Sequence, residues 1–169
     1  NHNDVGSCVM YYDGKPCLID LGREEYTAKT FSSRRYEIWT MQSGWHTLAA
    51  INGTDQKEGA AFKAKDSKFS ANEKSVTFST DIAGAYQEPA KVKSWIRTYT
   101  LNRGKSFIIS DKYQLSEVVA GKTTSSNIIT YCKVSEVKPG ILKFEGDGFV
   151  LNMTYNTKVV KPVIEFKEV

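Results

Sequence analysis

Several features that would assign a chain quickly to a class are missing from this sequence. No apolar run approaches the ~18 residues of a membrane-spanning helix, and no secretion signal is visible. Lysine and arginine are scattered, which argues against a nucleic-acid-binding surface. We therefore expect neither a membrane nor a nucleic acid as partner. The start at Asn1, without a methionine, indicates a processed product or a fragment.

Short catalytic motifs are also absent. The sequence contains no phosphate-binding loop, no G-x-S-x-G elbow, no C-x-x-C pair and no dinucleotide fingerprint. The three cysteines, Cys8, Cys17 and Cys132, are odd in number and widely spaced, which does not fit a disulfide framework. Cys8 and Cys17 flank a predicted turn, and we expect them to be small buried apolar side chains.

The composition is that of a soluble globular protein. Of the 169 residues, 40% are apolar and 25% are charged, which allows a substantial core. The formal net charge of +4 mildly favours an acidic partner, and a polyanionic sugar would fit. Because no repeat or linker divides the chain, we predict that residues 1–169 form a single domain.

The clearest local signal is a β-hairpin near the start of the chain. Residues 7–12 and 15–20 flank Asp13-Gly14, a dipeptide typical of a type I′ turn, so Tyr12 should pair with Lys15. In this register Asp20 lies opposite Ser7, about 16 Å from His2 along an extended strand. For His2 to meet Asp20, the intervening residues must fold back, with Gly6 as the pivot.

Residues 22–44 form a polar segment with isolated aromatic side chains. The segment has neither strand alternation nor a sustained helical stripe, although residues 32–42 could form a short helical turn. Loops of this length inside a compact domain tend to be functional. The alternative is a solvated excursion whose aromatic side chains pack onto a sheet.

Strand patterns dominate after residue 45. Apolar alternation and turn residues predict strands over 46–51, 60–69, 75–82, 92–101, 105–115, 125–134, 140–145, 149–154 and 159–166. Pro162 places the last of these at a sheet edge. About ten or more short strands with little helix predict an all-β fold, an antiparallel β-sandwich.

The two histidines of the chain, His2 and His46, flank Asp20, which ends an apolar strand. Two imidazoles and a carboxylate can bind zinc, and a sheet holds such ligands rigidly. Spacing alone leaves coincidence open, because two histidines and an aspartate occur in most domains of this size.

Tyr36 is a second candidate, since it follows Arg34 and Arg35. Neighbouring positive charge favours the phenolate, so this tyrosine could donate or accept a proton. The alternative is a tyrosine packed beside surface arginines. The three tryptophans could stack on sugar rings or fill a core.

Several of these segments resemble one family. They are His2-Asn-Asp-Val-Gly-Ser7, Leu18-Ile-Asp20, Tyr26-Thr-Ala-Lys-Thr-Phe-Ser-Ser-Arg-Arg-Tyr36, Trp39-Thr-Met-Gln-Ser43, His46 and Ile51-Asn-Gly53. Together with the later runs 97–105 and 110–113, they resemble the heparinase II/III-like polysaccharide lyases. The resemblance is most specific over residues 1–53. It implies that these residues form the metal-binding and cleft-facing part of the domain.

The resemblance implies that this chain is the C-terminal β-sandwich domain of a larger lyase. Its partner would be an N-terminal α/α toroid domain of the same enzyme, and the active site would lie between the two. Such enzymes cleave uronate-containing glycosaminoglycans, here of heparin or heparan sulfate type, by β-elimination. The resemblance also implies a bacterial protein that is periplasmic or secreted, and the isolated chain is expected to be inactive.

Residue by residue, the resemblance assigns His2, Asp20 and His46 as ligands of a divalent metal, usually zinc. It assigns Tyr36 to proton transfer or substrate placement in the cleft, and Arg34 and Arg35 could bind substrate carboxylate or sulfate. A further histidine of the family would lie upstream of Asn1. The alternatives are a lyase of alginate, hyaluronan or chondroitin, a non-catalytic carbohydrate-binding β-sandwich module, and a purely structural domain.

Overall fold

Antiparallel strands are the main regular structure in the computed structural model, which describes residues 1–168. Strands account for 41% of the residues, and helical structure, all of it 3-10 turns, for 11%. The predicted all-β class with little helix is therefore confirmed. The strands form small antiparallel sheets of two to four members.

The strands of the described residues, in chain order, are β1 Met10–Tyr12, β2 Lys15–Leu18, β3 Ala49–Ala50, β4 Lys65–Ala71, β5 Ser75–Asp81, β6 Val92–Asn102, β7 Ser106–Leu115, β8 Ser125–Ser126, β9 Lys133–Lys138, β10 Ile141–Gly146 and β11 Phe149–Thr154. The 3-10 turns are Ala28–Phe31, Arg35–Glu37, Trp39–Met41, Ser43–Trp45, Ala83–Ala85 and Glu88–Ala90. The segment predicted to be an irregular polar loop thus contains a series of short 3-10 turns.

The chain divides into two compact units. The first consists of residues 1–7 and 20–128, and the second of residues 8–19 and the described residues from 129 onward. Each unit has its own sheets and its own buried apolar side chains. The assignment of the whole chain to one lyase domain stays a prediction.

The first unit is built on a four-stranded sheet in the order β4-β5-β6-β7. In β6 the side chains of Trp95, Arg97 and Tyr99 are buried, because alternate positions of a strand face the same side. The core of this unit also contains Leu48, Ile51, Ile82, Ala85, Tyr86 and Ala90. The short pair β3–β8 brings residues 49 and 50 against residues 125 and 126.

The second unit contains the predicted hairpin and the three-stranded sheet β11-β10-β9. Tyr12 pairs with Lys15, and Asp13 and Gly14 have φ values of 48° and 73°, so the predicted turn and pairing are confirmed. The register shifts between Met10 and Tyr11, whereas the sequence predicted continuous pairing without a bulge. Such a bulge lets two residues of one strand oppose one of its partner.

Several predicted strands are shorter than expected, and the last is absent. The segment 46–51 contributes only the two residues of β3, and residues 159–166 contain no strand. In residues 159–166 the apolar side chains are largely exposed, and Pro162 cannot donate to a ladder. An apolar segment of this kind forms a strand only where a neighbouring strand is available to pair with it.

None of the helices in residues 1–168 is long and apolar enough to span a membrane.

Candidate metal centre

His2, Asp20 and His46 come together in the first unit. Each offers one ligand atom, and these atoms all lie within 4.8 Å of one another. The two imidazole rings have centroids 5.4 Å apart, and Nδ1 of His46 lies 2.9 Å from Oδ2 of Asp20. Among the described residues, no other group of three or more His, Cys, Asp or Glu side chains converges in this way.

A sharp turn carries His2 to the other two side chains. The backbone N–H of Ser7 donates to the carbonyl of Asp4 over 2.9 Å, and Gly6 has a φ of +83°. A Cβ at Gly6 would lie 2.6 Å from Cγ2 of Ile82, closer than side chains tolerate. Gly6 is therefore the pivot that the sequence predicted, for reasons of both conformation and space.

The side chain of Gln56 fixes Val5, a central residue of this turn. Its Oε1 accepts a hydrogen bond from the N–H of Val5 at 2.9 Å, and its Nε2 donates to the carbonyl of Val5 at 2.8 Å. The N–H of Asn3 donates to the carbonyl of Met41 at 2.9 Å. The backbone on the C-terminal side of His2 is therefore held at two points.

His46 is rigidly placed and fully buried. It follows the 3-10 turn Ser43–Trp45, and its N–H donates to the carbonyl of Ser43. The next residue, Thr47, accepts a hydrogen bond on its carbonyl from Nη1 of Arg97 at 2.8 Å. Hydrogen bonds on both sides hold the backbone of His46, and full burial of its side chain leaves the ring little freedom.

The guanidinium of Arg97 is itself buried beneath this segment. Its Nε and Nη2 donate to the two carboxylate oxygens of Asp111 at 2.8 and 2.7 Å. Burial opposes its charge, but the hydrogen bonds and negative charge of Asp111 raise the pKa of Arg97 overall. The pair forms a charged cross-strand link between β6 and β7 and supports the position of His46 through Thr47.

The environment of His2 favours the form of the ring that binds metals. Burial and the neighbouring His46 lower the pKa of His2 below 6.5, although Asp20 and Asp4 act in the opposite direction. The imidazole of His2 is therefore neutral at pH 7, with a lone pair available for a cation.

The donor set fits a divalent cation. The Nε2 atom of His46 is buried and has no hydrogen-bond partner among the described residues, which is costly for a polar atom. A cation could be bound by Nδ1 beside Asp20, or by Nε2 with Asp20 accepting a hydrogen bond from Nδ1. In the first arrangement two imidazoles and one carboxylate leave one position open in a tetrahedral site. Imidazole suits zinc and several other transition metals, so the side chains alone do not select one element.

Arg34, Arg35 and Tyr36 lie on one short stretch but in different surroundings. Nε of Arg35 donates to the carbonyl of Asn1 at 3.0 Å, next to His2. The exposed Arg34 instead donates from Nε and Nη2 to the carboxylate of Glu37, at 3.1 and 2.9 Å. Tyr36 follows both arginines, as the middle residue of the turn Arg35–Glu37, and is half-buried. Of the two arginines, Arg35 is therefore the one that contacts the start of the chain, next to His2.

The sequence reasoning missed the residues that support the site, namely Gln56, Arg97 and Asp111. A signal for the last two was present. Arg97 lies between Trp95 and Tyr99 on one face of a strand, and Asp111 interrupts the apolar face of the next. Opposite charges on the buried faces of neighbouring strands indicate a cross-strand pair.

Fold and site together describe an all-β protein with a compact His-Asp-His cluster that can accept a divalent cation. A scan against protein-family models finds no matching family, and a search of curated proteins finds no matching relative. The more particular assignment therefore depends on the resemblance of the residue runs described above.

Proposed function

We propose that this chain is the β-domain of a heparinase II/III-like polysaccharide lyase, which cleaves heparin- or heparan-sulfate-like glycosaminoglycans by β-elimination. The observation that supports this best is the cluster of His2, Asp20 and His46. Three residues that the resemblance assigns as metal ligands, from separate parts of the chain, have ligand atoms within 4.8 Å of one another.

The reaction imposes demands that nearby side chains can meet. β-Elimination removes the proton at C5 of a uronate and protonates the glycosidic oxygen at C4, after the carboxylate charge has been neutralised. We assign proton transfer to Tyr36 and recognition of the carboxylate or sulfate to Arg35. Arg34 is the weaker candidate, because a substrate anion would have to compete with Glu37 for its guanidinium.

We assign an architectural role to the metal, with His2, Asp20 and His46 as its ligands and zinc as the ion. Bound there, the ion would supply a coordinate cross-link between the start of the chain and the segment around residue 46. The side chains that do the positioning belong to the protein. Gln56 fixes the backbone of Val5, and Arg97 fixes the backbone of Thr47, so the chain is held close to both histidines.

The proposal includes a partner domain and a compartment. We expect the α/α toroid domain of the same enzyme to supply the opposite wall of the cleft and the remaining groups for proton transfer. Polymeric glycosaminoglycans do not enter cells freely, so a periplasmic or secreted enzyme fits such a substrate.

The test is a lyase assay on the protein that carries this chain together with the toroid domain. Release of unsaturated uronate is followed by absorbance with heparin, heparan sulfate, alginate, hyaluronan and chondroitin as separate substrates. We expect product from a sulfated glycosaminoglycan, and a loss of about a hundredfold or more in kcat for Tyr36→Phe. Tyr131→Phe, at an exposed tyrosine of the second unit, is the matched control. No product from any polymer would overturn the proposal.

A carbohydrate-binding module without catalysis is the second candidate, and one surface feature favours it. Tyr26 and Phe31 are exposed, their rings lie 5.4 Å apart, and the guanidinium of Arg23 lies 3.8 Å from the ring centroid of Tyr26. Aromatic faces beside a cation suit an acidic sugar. Titration of the 169-residue chain with heparin oligosaccharides, compared with Tyr26→Ala, tests this candidate separately from catalysis.

A further inference from the structure

Cys17 and Cys132 meet in the second unit although 115 positions separate them in the sequence. Their Sγ atoms are 3.9 Å apart, and the two residues are only 1% and 6% exposed. Sulfur atoms at this distance are in van der Waals contact, and a modest rotation of the side chains would bring them to bonding distance. No metal-ligand cluster among the described residues includes either thiol.

The backbone holds the two cysteines side by side. The N–H of Ile19 donates to the carbonyl of Ile129 at 3.0 Å, and Leu18 forms an antiparallel bridge with Thr130. The hydroxyl of Thr130 donates to the carbonyl of Cys17 and accepts from the N–H of Cys132. The chain then bends at residues 131 and 132, and this bend brings the side chain of Cys132 to Cys17. The proximity is therefore a consequence of the isolated bridge and the hydrogen bonds that join the end of β2 to the segment before β9.

We propose that Cys17 and Cys132 form a disulfide when the chain folds in oxidising surroundings, with a low-molecular-weight disulfide such as oxidised glutathione as the oxidant. In the exchange each cysteine loses its proton and one S–S bond forms between them. The two electrons and two protons reduce the S–S bond of the oxidant to two thiols. This inference is independent of the proposed lyase function.

Oxidation should take place during folding rather than afterwards. Burial, followed by the neighbouring Cys132, raises the pKa of the Cys17 thiol to about 12, so its reactive thiolate is scarce at neutral pH. An external oxidant also has little access to two buried sulfur atoms. A chain folded under reducing conditions should keep both thiols reduced when an oxidant is added later.

The cross-link would close a loop that contains most of the chain. In the second unit it would tie β2 to the segment that enters β9, two regions that meet late because of their separation in sequence. Constraining so long a loop removes conformational freedom from the unfolded chain. We expect the melting temperature of the oxidised form to lie about 5 °C or more above that of the reduced form.

The experiment uses the unaltered 169-residue chain, refolded either in a glutathione redox buffer or in excess reductant. Proteolysis without reduction, followed by mass spectrometry, identifies linked peptides, and alkylation counts the remaining thiols. We expect one link, between the peptides of Cys17 and Cys132, in the first sample only. Cys8→Ser is the control that should retain the link, and Cys132→Ser should abolish it.

Peptide mapping of the unaltered chain does not require any variant to fold. Three alkylatable thiols after refolding in redox buffer would overturn the proposal. So would a link that involves Cys8, or covalent dimers as the main product. Rapid oxidation of the already folded, reduced chain would contradict the proposed order of events.

Discussion

At the scale of single residues, the site depends on a few buried or partly buried polar side chains whose hydrogen bonding is incomplete. His46 is wholly buried, with Nδ1 beside Asp20 and Nε2 without a hydrogen-bond partner among the described residues. Asp20 is more exposed, and its Oδ1 already accepts from the N–H of Gly22 at 2.7 Å. The carboxylate is therefore oriented by the backbone before any cation arrives, which lowers the entropic cost of binding one.

The first residue-scale prediction concerns metal content. We expect the purified chain to contain a stoichiometric divalent metal, and His46→Ala to lose it because an imidazole ligand is removed. Asp20→Asn should weaken metal binding about tenfold or more, whether the carboxylate ligates the ion or orients the ring. Elemental analysis and competition with a chelator measure both. Asp147→Asn, at an exposed aspartate of the second unit, is the control, and a folded but metal-free wild-type chain would contradict the prediction.

The second residue-scale prediction concerns the pivot at Gly6. Gly6→Ala should lower the free energy of unfolding by about 2–4 kcal/mol, since it adds strain at positive φ and a contact with Ile82. Gly104→Ala is the matched control, because Gly104 also has positive φ but no heavy atom within 4 Å of an added Cβ. Urea denaturation gives both values. Equal losses for the two variants would mean that the close approach to Ile82 carries no cost.

At the scale of secondary-structure elements, the site is held by strands that contribute no ligand. Arg97 in β6 and Asp111 in β7 lie directly opposite each other, and Arg97 extends the link to Thr47. Gln56 plays a similar part for the N-terminal segment by bonding both backbone groups of Val5. The two candidate histidine ligands are thus positioned by buried polar side chains, which also complete the hydrogen bonding of irregular backbone.

The element-scale prediction concerns this charge pair. Asp111→Ala should cost about 3–5 kcal/mol of stability, because it leaves the buried guanidinium of Arg97 without its counter-charge. The double variant Arg97→Met with Asp111→Leu should lose less than Asp111→Ala alone, since no charge then remains buried. Chemical denaturation measures the changes, and Lys112→Ala, at an exposed position of β7, should change stability by no more than about 0.5 kcal/mol. A loss for Asp111→Ala as small as that of Lys112→Ala would contradict the role of the pair.

Local sequence pattern predicts some of these elements and misses others. The Asp13-Gly14 turn and the all-β class followed from local pattern, because turn conformation and side-chain alternation depend on near neighbours. The register shift between Met10 and Tyr11 and the missing strand over residues 159–166 did not, since pairing depends on which strand lies alongside. The three candidate ligands were named in advance, but their supports were not. Gln56, Arg97 and Asp111 act through partners 14 to 51 positions away, which spacing does not reveal.

At the scale of the whole molecule, polar contacts link the candidate site to the core of the first unit. The hydroxyl of Tyr86 donates to the carbonyl of Ala49 at 2.6 Å and accepts from Nε2 of Gln56 at 3.4 Å. The same Gln56 amide holds Val5 near His2. Tyr86 thus connects β3 to Gln56, which fixes the start of the chain, so conditions that ionise this tyrosine should affect both stability and the candidate metal site.

The whole-molecule prediction follows from the pKa of Tyr86. Burial raises this pKa to about 12, although the hydrogen bond from Gln56 lowers it. Below pH 10 the phenol is neutral in both the folded and the unfolded chain, so the contribution of Tyr86 to stability is fully present. As the pH rises from 10 to 12, the unfolded chain releases this proton and the folded chain keeps it. Unfolding is then favoured, by up to about 2–3 kcal/mol at pH 12.

Urea denaturation at intervals from pH 8 to pH 11 measures this effect. Tyr86→Phe should be less stable than the wild type at pH 8, because the hydrogen bond to Ala49 is lost. The variant has no phenol at position 86 to ionise. The difference in free energy of unfolding between wild type and Tyr86→Phe should therefore shrink above pH 10, as the wild type loses stability. Tyr131→Phe, at an exposed position, should run parallel to the wild type across the whole range. A deficit of Tyr86→Phe that stays constant above pH 10 would show that Tyr86 ionises equally easily in both states, and that its burial does not couple the core to pH.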